Sequence, residues 1–382
     1  MSVTKKQIPA ISIVIPIYNA AKYVGECLDS ILAQTFDDYE VIIVDNCSTD
    51  NSAAIVESYV PKFTRGGVER LQLVRRKVNS GSAAVPRNTG IRVAVGEYLL
   101  FVDSDDAITP TALEELYLIA KKFDADVVYA ERFYKVSEDF KLADKENLEP
   151  YAFEKIDFVT EPTLISENLA ERVVDYSNGK FSTVPWNYLI RRQFILENDI
   201  KFPEIHHGED EVFDFYLVCL AKKIVRVPNV IYFYRIRQDS EVHATLSVER
   251  YIHDWYASIF KAIGIFDKFM NRFELFKTNP EYKYPIMESY TRKNLHAAVQ
   301  IYSQIPAGRL EGLLRAELLQ VDDLKPLAAF LFSRMNIFNV NLIRQQQIIQ
   351  QQQQQIQQLQ AQLQQAQPSS FQLQTEDIFK QN

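Results

Sequence analysis

Short runs of branched apolar residues alternate, over the first 130 residues, with segments whose apolar positions recur every three or four residues. The apolar runs predict buried β-strands at 11–15, 40–44, 71–74, 98–102 and 125–130. The longer periodicity predicts helices over 20–34, 53–60 and 87–95, and another that Thr109-Pro110 opens. We expect Pro16 to end the first strand, because proline lacks a backbone N–H. This alternation indicates a mostly parallel sheet flanked by helices.

The pattern changes after residue 130. Residues 139–161 are charged and irregular, which predicts a surface loop, and 186–224 indicate a helix, a loop and a second helix. Residues 230–236 predict a further strand, and the chain from about Ser247 to Asn341 is mostly helical in pattern and rich in aromatic residues. We therefore expect an α/β domain over 1–245, whose two halves meet near residue 130, followed by a helical region over 246–341.

The end of the chain is rich in glutamine. From Gln345 to Gln367, 16 of the 23 residues are Gln. Apolar residues nevertheless recur at heptad spacing, at Leu342, Ile349, Ile356, Leu359, Leu363 and Ala366. This predicts a short coiled coil over 342–367 that makes a homo-oligomer, followed by a tail over 368–382. The alternative is a low-complexity Gln tract without a partner.

Composition narrows the class of protein. The chain is 47% hydrophobic and 24% charged, which excludes a mainly disordered chain. It shows no apolar run near the length of a membrane span and no secretory pattern at its start. The three scattered cysteines fit a reducing compartment, so we expect a cytoplasmic protein. The net charge of -8 argues against a nucleic-acid partner.

The cluster Asp103-Ser104-Asp105-Asp106 directly follows an apolar strand. Two carboxylates one residue apart supply the oxygen ligands that Mg²⁺ or Mn²⁺ prefers, with phosphate oxygens and water completing the shell. The alternative is a solvated turn with one Asp capping a helix. That alternative explains three neighbouring carboxylates poorly, because like charges repel.

Polar residues also follow the first two strands. Pro16-Ile17-Tyr18-Asn19 ends the first, where the ring of Tyr18 could pack near a base or could simply lie in a turn. Asp45 ends the second, where its carboxylate could accept a hydrogen bond from a uracil N–H or could make a capping Asx turn. A Gly-rich dinucleotide fingerprint is absent from this place.

Two more segments carry candidate chemistry. Arg87 and Asn88 follow the flexible loop at Gly81, at the start of a helix, where a basic residue suits pyrophosphate; the alternative is a surface Arg. Gly208-Glu209-Asp210-Glu211 precedes a helical pattern and could supply a general base, or could be an acidic first turn that favours the helix dipole. The histidines at 206, 207 and 243 show no metal-binding spacing with another His or Cys.

Taken in order, these segments resemble the family 2 glycosyltransferases. The matching segments are Ser12–Asn19 with Leu28–Thr35, Ile43–Asp50, Pro86–Gly90, Phe101–Asp106, Trp186–Leu189, Gly208–Glu211, and Tyr232–Arg237 with Ser240. The D-x-D motif of the family is matched in full. Asn46-Cys47 stands where the family has Asp-Gly, and Pro86 stands where it has Ala.

The resemblance implies a GT-A fold and an inverting transfer of sugar from a nucleotide-diphosphate donor, most simply a UDP-sugar. Residues 8–130 would hold the donor, and 131–245 the acceptor. Asp103 and Asp105 would bind Mn²⁺ or Mg²⁺, and Asp210 would be the catalytic base. The residues that would contact the substrates are Pro16, Tyr18, Asn19, Asp45, Arg87, Asn88, Asp103 and Trp186. Trp186 would be an acceptor-sugar platform, with core packing as the alternative.

By analogy with the family, the acceptor would be a glycan or a lipid-linked glycan in surface polysaccharide or lipopolysaccharide synthesis. A lipid-linked acceptor would place the protein at the inner face of the plasma membrane, touched through aromatic and basic residues of the helical region, such as Trp255, Phe266 and Phe269; their alternative is a helical core. Two other functions stay open: a non-catalytic scaffold on a transferase fold, and a sugar nucleotidyltransferase. The latter usually has a Gly-rich basic loop where this chain has Asn19–Lys22.

Overall fold

The computed structural model describes residues 8–144, 148–152, 157–181, 183–237, 247–295, 307–321 and 323–366. The chain forms two compact units, which divide between Pro326 and Leu327. The predicted tail over 368–382, Ser240 and His243 lie outside the described residues.

The strands and helices of the first unit follow the predicted alternation. The strands are β1 (Ile11–Ile17), β2 (Tyr39–Asp45), β3 (Thr64–Arg65), β4 (Val68–Glu69), β5 (Leu71–Arg75), β6 (Tyr98–Phe101), β7 (Ala107–Ile108), β8 (Val127–Val136), β9 (Pro150–Tyr151), β10 (Thr163–Leu164), β11 (Tyr188–Arg191) and β12 (Ile224–Arg235). The helices up to β12 are α1 (Val24–Leu32), α2 (Ser52–Tyr59), α3 (Ala84–Val93), α4 (Ala112–Phe123), α5 (Leu169–Ser177), α6 (Arg192–Glu197) and α7 (Glu209–Leu220). After it come α8 (Val248–Tyr251), a π-helical turn (Ile252–Tyr256), α9 (Ala257–Met270), α10 (Glu274–Thr278), α11 (Lys283–Leu295) and α12 (Ala307–Leu318).

One mixed sheet carries the domain. Its strand order is β10-β12-β8-β11-β6-β1-β2-β5, with β7 paired to β12 and β9 to β8. The pairs β6–β1, β1–β2, β2–β5 and β8–β12 are parallel, and β11 is antiparallel to both of its neighbours. The carboxyl ends of β6, β1 and β2 therefore lie at one edge, where ligands of such sheets bind.

Strand β1 continues through Pro16, so the prediction that this proline ends the strand is wrong. Pro16 is in register with Val44 of β2, and the strand ends at Ile17. On the other side, the register with β6 ends at Val14. Pro16 lies two residues beyond Val14, so its backbone nitrogen points toward the β6 side of the strand, as that of Val14 does. The pairing with β6 has ended by then, and no ladder hydrogen bond requires an N–H at Pro16.

The prediction of a helix at the start of 186–224 is also wrong. A 3₁₀ turn (Pro185–Asn187) leads into strand β11, which inserts between β6 and β8. The four residues of β11 carry too little pattern to distinguish strand from helix. The segment becomes a strand because pairing with both neighbouring strands satisfies its backbone N–H and C=O groups.

Helix α3 packs very closely on the sheet at Gly90. A Cβ atom built on Gly90 would lie 2.2 Å from Cγ1 of Val14 in β1. The glycine is therefore required by close approach of the helix backbone to the strand rather than by its own dihedral angles. This contact fixes the height of α3, which carries Arg87, above the sheet.

The helical region beyond β12 has its own apolar packing. Trp255, Phe266 and Phe269 are buried, and Phe215 of α7 packs edge-on against Phe266 and Phe269. This arrangement fits the helical core, the alternative to membrane contact. No helix within the described part of the chain is both long enough and apolar enough to cross a bilayer.

A single helix of 42 residues, α13 (Lys325–Ala366), forms the second unit from Leu327 onward. The predicted coiled-coil segment is thus helical up to Ala366. Ile349, Ile356 and Leu359 of the heptad seam are each more than half exposed. Association with a second copy stays a prediction.

Candidate active site

The D-x-D turn follows directly from β6, and its last carboxylate is built into the core. Asp106 is 2% exposed and accepts hydrogen bonds from the Tyr232 hydroxyl (2.9 Å) and the Arg235 backbone N–H (2.7 Å). The Tyr232 hydroxyl also accepts a hydrogen bond from the Asp103 backbone N–H (3.0 Å). Strand β12 therefore holds the turn that presents the other two carboxylates.

Asp103 and Asp105 remain partly exposed, and each already faces an arginine. Nη2 of Arg87 lies 2.9 Å from Oδ1 of Asp103, and Nε of Arg237 lies 2.7 Å from Oδ2 of Asp105. Burial raises the pKa of Asp105, Arg237 opposes this shift, and the neighbouring charge of Asp103 adds to it. The two carboxylates thus form an all-oxygen set in which negative charge is incompletely neutralised.

This donor set fits the divalent cation expected from the resemblance. Carboxylate oxygens are the ligands that Mg²⁺ and Mn²⁺ prefer. A cation beside Asp105 would also offset the repulsion that raises its pKa. The ion itself stays a prediction for this chain.

Asp210 lies in the first turn of α7, close to the D-x-D turn. The helix begins after Gly208, whose φ of +79° is in the left-handed region and whose Cβ position is occupied by the ring of Tyr290. Burial raises the pKa of Asp210 to about 7, with Arg87 opposing the shift and Asp103 and Glu211 adding to it. A carboxyl group with a pKa near neutrality is suited to accept a proton from a hydroxyl.

Arg87 links the two acidic segments. Its Nη1 lies 2.7 Å from Oδ1 of Asp210 and 3.5 Å from Oε1 of Glu209, while its Nη2 contacts Asp103. The side chain is 4% exposed, so burial opposes its charge; Asp210 and Asp103 outweigh this and raise its pKa. Arg87 therefore holds Asp210 beside the D-x-D turn, and its contact with diphosphate stays a prediction.

The contact of Asn88 with substrate stays a prediction, and its amide group already has partners within the protein. The residue is 7% exposed, its Nδ2 donates to the carbonyl of Phe202 (2.8 Å), and its Oδ1 accepts from the N–H of Phe202 (2.9 Å). The amide group of Asn88 thus pairs with both backbone groups of Phe202, as the backbone of a neighbouring strand would. Asn88 fastens the segment before α7 to α3, and thereby positions Asp210.

Trp186 does not fit its predicted role as a sugar platform. The residue is 3% exposed, and its ring stacks on Tyr232 at 4.1 Å with an interplanar angle of 12°. The ring of Phe133 packs against it edge-on. A sugar requires an accessible ring face, so the core-packing alternative is the one that the structure supports.

The residues predicted to contact the nucleotide lie together beyond β1 and β2. Tyr18 is 46% exposed, and Oδ1 of Asn19 accepts a hydrogen bond from the N–H of Thr49 (2.8 Å). Oδ1 of Asp45 accepts from the N–H of Ser48 (2.9 Å), which is the Asx turn considered as its alternative. Half-buried Pro16 precedes this group. The structure brings these residues to one edge, and their contact with a nucleotide stays a prediction.

The departure from the family's Asp-Gly pair has a structural counterpart. Cys47 adopts a φ of +68°, the left-handed conformation that glycine adopts without steric cost. Oδ1 of Asn46 accepts from the N–H (3.2 Å) and hydroxyl (3.1 Å) of Ser80, and its Nδ2 donates to Asn79 (2.9 Å). Asn46 therefore fixes the loop that leads into α3.

Sequence reasoning missed the roles of two arginines in β12 and just beyond it. The guanidinium of Arg235 donates to the carbonyls of Asp105 (2.8 Å) and Glu138 (2.8 Å) and pairs with Glu26. Arg237 pairs with Asp105, as described above. The segment 232–237 is part of the resemblance, but partners about a hundred or more positions away leave no local signal in the sequence.

Comparisons with known proteins identify the family of this chain. The family model described as "Glycosyl transferase family 2" matches residues 12–173. Glycosyltransferase GlyG of Streptococcus pneumoniae is 35% identical over 231 residues, which are 60% of this chain and 72% of that protein. Poly(ribitol-phosphate) beta-glucosyltransferase of Bacillus spizizenii is 34% identical over 234 residues, 60% of this chain. The match covers 33% of that relative, so this chain spans about a third of its length.

A solved structure supports the fold. S. aureus TarS 1-349 in complex with UDP-GlcNAc superposes with a TM-score of 0.59 and 22% identity, over 81% of this chain and 79% of that chain. This likeness confirms the predicted GT-A fold. Together with the similarity to GlyG over most of its length, it shows that the chain belongs to glycosyltransferase family 2.

Proposed function

We propose that this chain transfers a sugar from a UDP-sugar to an acceptor hydroxyl, with inversion at the anomeric carbon and assistance from a divalent cation. The observation that carries the proposal is the position of Arg87, whose two terminal nitrogens lie 2.7 Å from Asp210 and 2.9 Å from Asp103. A base with a pKa near neutrality is thereby held next to the carboxylates that would face the diphosphate.

The relatives support the donor and the acceptor class. TarS was solved with UDP-GlcNAc, and the B. spizizenii relative is named for glucosylation of poly(ribitol-phosphate). For this chain we propose a UDP-sugar donor. We propose as acceptor a glycan or a lipid-linked glycan in surface polysaccharide or lipopolysaccharide synthesis. We place the reaction in the cytoplasm, at the inner face of the plasma membrane where the acceptor is lipid-linked.

The residues act in a defined order. Tyr18, Asn19 and Asp45 hold the nucleoside at the ends of β1 and β2, and Asp103 contacts the ribose. Asp103 and Asp105 would hold a divalent cation, which would supply neutralisation of the charge on the departing diphosphate. Asp210 then accepts the proton of the acceptor hydroxyl while the hydroxyl oxygen attacks the anomeric carbon.

Bond making and breaking balance in this scheme. A bond forms between the acceptor oxygen and the anomeric carbon, and the bond from that carbon to the diphosphate oxygen breaks. The electron pair of the broken bond leaves with UDP, and the hydroxyl proton remains on Asp210. One base suffices because the diphosphate leaves without a proton, unlike the leaving group of hydrolytic glycosidases.

The experiment is UDP release across a panel of UDP- and GDP-sugars, with Mn²⁺ or with EDTA. We expect Mn²⁺-dependent release of UDP from one donor, loss of that release in Asp210→Asn, and weakened metal dependence in Asp105→Asn. Asp199→Asn is the matched control, because Asp199 is an exposed carboxylate paired to Lys201 on the surface.

One other function is distinguished by the same assay. A non-catalytic scaffold would bind no sugar nucleotide in a metal-dependent manner and would release no UDP from any donor. Family membership sets aside the sugar nucleotidyltransferase, which would instead consume a nucleoside triphosphate. Turnover by Asp210→Asn at the wild-type rate would overturn the assignment of the base.

A further inference from the structure

Two histidines and an aspartate from distant segments meet beside the acceptor half of the domain. One ring nitrogen of His206, one ring nitrogen of His253 and one carboxylate oxygen of Asp254 all lie within 4.8 Å of one another. His206 belongs to the segment before α7, whereas His253 and Asp254 belong to the π-helical turn. No local spacing motif indicates this cluster, because His206 and His253 are 47 positions apart in the chain.

Both histidine rings are already oriented through Nδ1. Nδ1 of His206 lies 3.2 Å from the carbonyl oxygen of Gly81, and Nδ1 of His253 lies 3.1 Å from a carboxylate oxygen of Glu317 in α12. A ring that donates from Nδ1 carries its lone pair on Nε2. Metal-binding histidines commonly show this arrangement, in which a carbonyl or carboxylate fixes the ring and raises its basicity as a ligand.

The surroundings leave room for an ion and its waters. His206 and His253 line a cavity of about 330 Å³, together with Ser82, Glu204 and the two cationic side chains Arg76 and Lys261. Asp254 pairs with Arg250 at 3.2 Å, but Arg250 is 70% exposed, and such surface pairs contribute little. Ligand atoms around a tetrahedral ion are about 3.4 Å apart. Small side-chain rotations would bring the three ligand atoms from their present separation to that distance.

We propose that His206, His253 and Asp254 bind a zinc-class transition-metal ion, at a site separate from the D-x-D turn. Imidazole nitrogens with one carboxylate suit Zn²⁺, Co²⁺ or Ni²⁺, whereas the all-oxygen set at Asp103 and Asp105 suits Mg²⁺ or Mn²⁺. Three protein ligands leave a further position for water.

Such an ion would join three parts of the fold. His206 lies four residues before Asp210 and touches the loop at Gly81, where an added Cβ would lie 3.0 Å from the His206 ring. His253 and Asp254 belong to the helical region, and Glu317 holds His253 from α12. The ion would therefore fasten the segment carrying the proposed base to the C-terminal helices of the first unit.

The test is titration of the full-length, metal-stripped protein with Co²⁺, followed by visible absorption, and with Zn²⁺, followed by calorimetry. We expect one Co²⁺ per chain with a d–d absorption band that Zn²⁺ abolishes. His253→Gln and Asp254→Asn should lose the band, and Glu317→Gln should weaken affinity by roughly 10–100-fold through loss of the orienting contact.

Controls separate this site from the proposed reaction. His207→Asn removes the adjacent histidine, whose ring stacks on Trp255 at 4.0 Å, and should keep the band. Asp105→Asn should also keep it, whether or not the protein transfers sugar. Near-UV circular dichroism checks that each variant is folded. Absence of saturable Co²⁺ uptake by the wild type, or equal uptake by folded His253→Gln, would overturn the proposal.

Discussion

The carboxyl group of Asp210 is surrounded by charged groups from three elements. Arg87 of α3 approaches it most closely, Asp103 follows β6, and Glu209 and Glu211 flank it in α7. Burial raises its pKa to about 7, and Arg87 limits the rise. Its protonation state therefore changes within the pH range in which enzymes are usually assayed.

This environment predicts the acid limb of the pH profile. A protonated Asp210 cannot accept the hydroxyl proton, so kcat/KM should fall below about pH 7 and level off above it. Arg87→Gln removes the charge that lowers this pKa, and should move the limb to higher pH, whereas Arg87→Lys should move it less. A rate measured from pH 5 to 9 tests this; a profile without an acid limb would contradict the assignment.

Asp214, one helical turn further along α7, has a different environment. It is fully buried, and neither carboxylate oxygen has a hydrogen-bond partner among the described residues. Burial raises its pKa well above the usual value, and the charges of Asp210 and Glu211 add to the shift. The folded state thus binds this proton more tightly than the unfolded state, so the contribution to stability falls as pH rises above about 4.

Asp214→Leu should therefore stabilise the fold, by about 1–3 kcal/mol at pH 8, because an unpaired buried polar group is removed. The gain should be smaller at pH 5, where protonation of Asp214 costs less. Thermal unfolding at the two pH values measures both, with the exposed Asp199→Asn as a control that should change neither. An equal effect at both pH values would show that Asp214 is not the titrating group.

Helix α3 and strand β1 form the contact that sets the height of Arg87 above the sheet. A Cβ at Gly90 would overlap Cγ1 of Val14 at 2.2 Å, and valine has no flexible end that could move aside. Elements that pack this closely tolerate little added volume.

Gly90→Ala should destabilise the protein by roughly 1–3 kcal/mol through overpacking. Adding Val14→Ala removes the two methyl groups that clash and should recover part of the loss. Gly264→Ala in α9 is the matched control, because no described atom lies within 4 Å of its Cβ position. It should be neutral or stabilising by about 0.5–1 kcal/mol, since alanine favours helix. Equal unfolding midpoints for Gly90→Ala and wild type would refute the close-packing argument.

The type of an element was predictable from the sequence where the hydrophobic pattern extends over enough residues. The prediction failed where pairing with other strands determined the type. The buried runs that became β1, β2 and β6 were recognised from the sequence, because each contains at least four apolar residues. Strand β11 was missed, since its four residues become a strand only between β6 and β8. Residue environments followed the same division: the acidic turn with Asp103 and Asp105 is visible in the local sequence, whereas the burial of Asn88 and Trp186 depends on distant segments.

At the scale of the whole molecule, α13 exposes a row of apolar side chains over Gln-rich sequence. Ile349 and Ile356 are 52% and 54% exposed within the single chain. The predicted coiled coil would cover them with a second copy. Coverage by association is favourable because it removes apolar surface from water.

Deletion of Arg344–Asn382 should lower the number of chains per particle, obtained from the molar mass measured by light scattering. Ile349→Gln with Ile356→Gln should do the same, because both lie on the heptad seam. Ile348→Gln is the matched control, since Ile348 is 53% exposed but lies outside that seam. The same number of chains per particle before and after the deletion would show that α13 does not hold the assembly together.

The sequence by itself determined the alternation of strands and helices, the acidic turn after β6 and the helical Gln-rich end. These features are local: apolar periodicity and the residues at strand ends act through neighbours a few positions away. The family resemblance rests on the same local segments.

Only the tertiary structure decided which groups meet. Arg87 and Asp210 are far apart in the chain, as are Asp105 and Arg237, and His206 and His253. Their contacts depend on the height of α3, the insertion of β11 and the packing of the C-terminal helices. Burial and pKa follow from these long-range contacts, because they arise from all the elements that surround a group rather than from its position in the sequence.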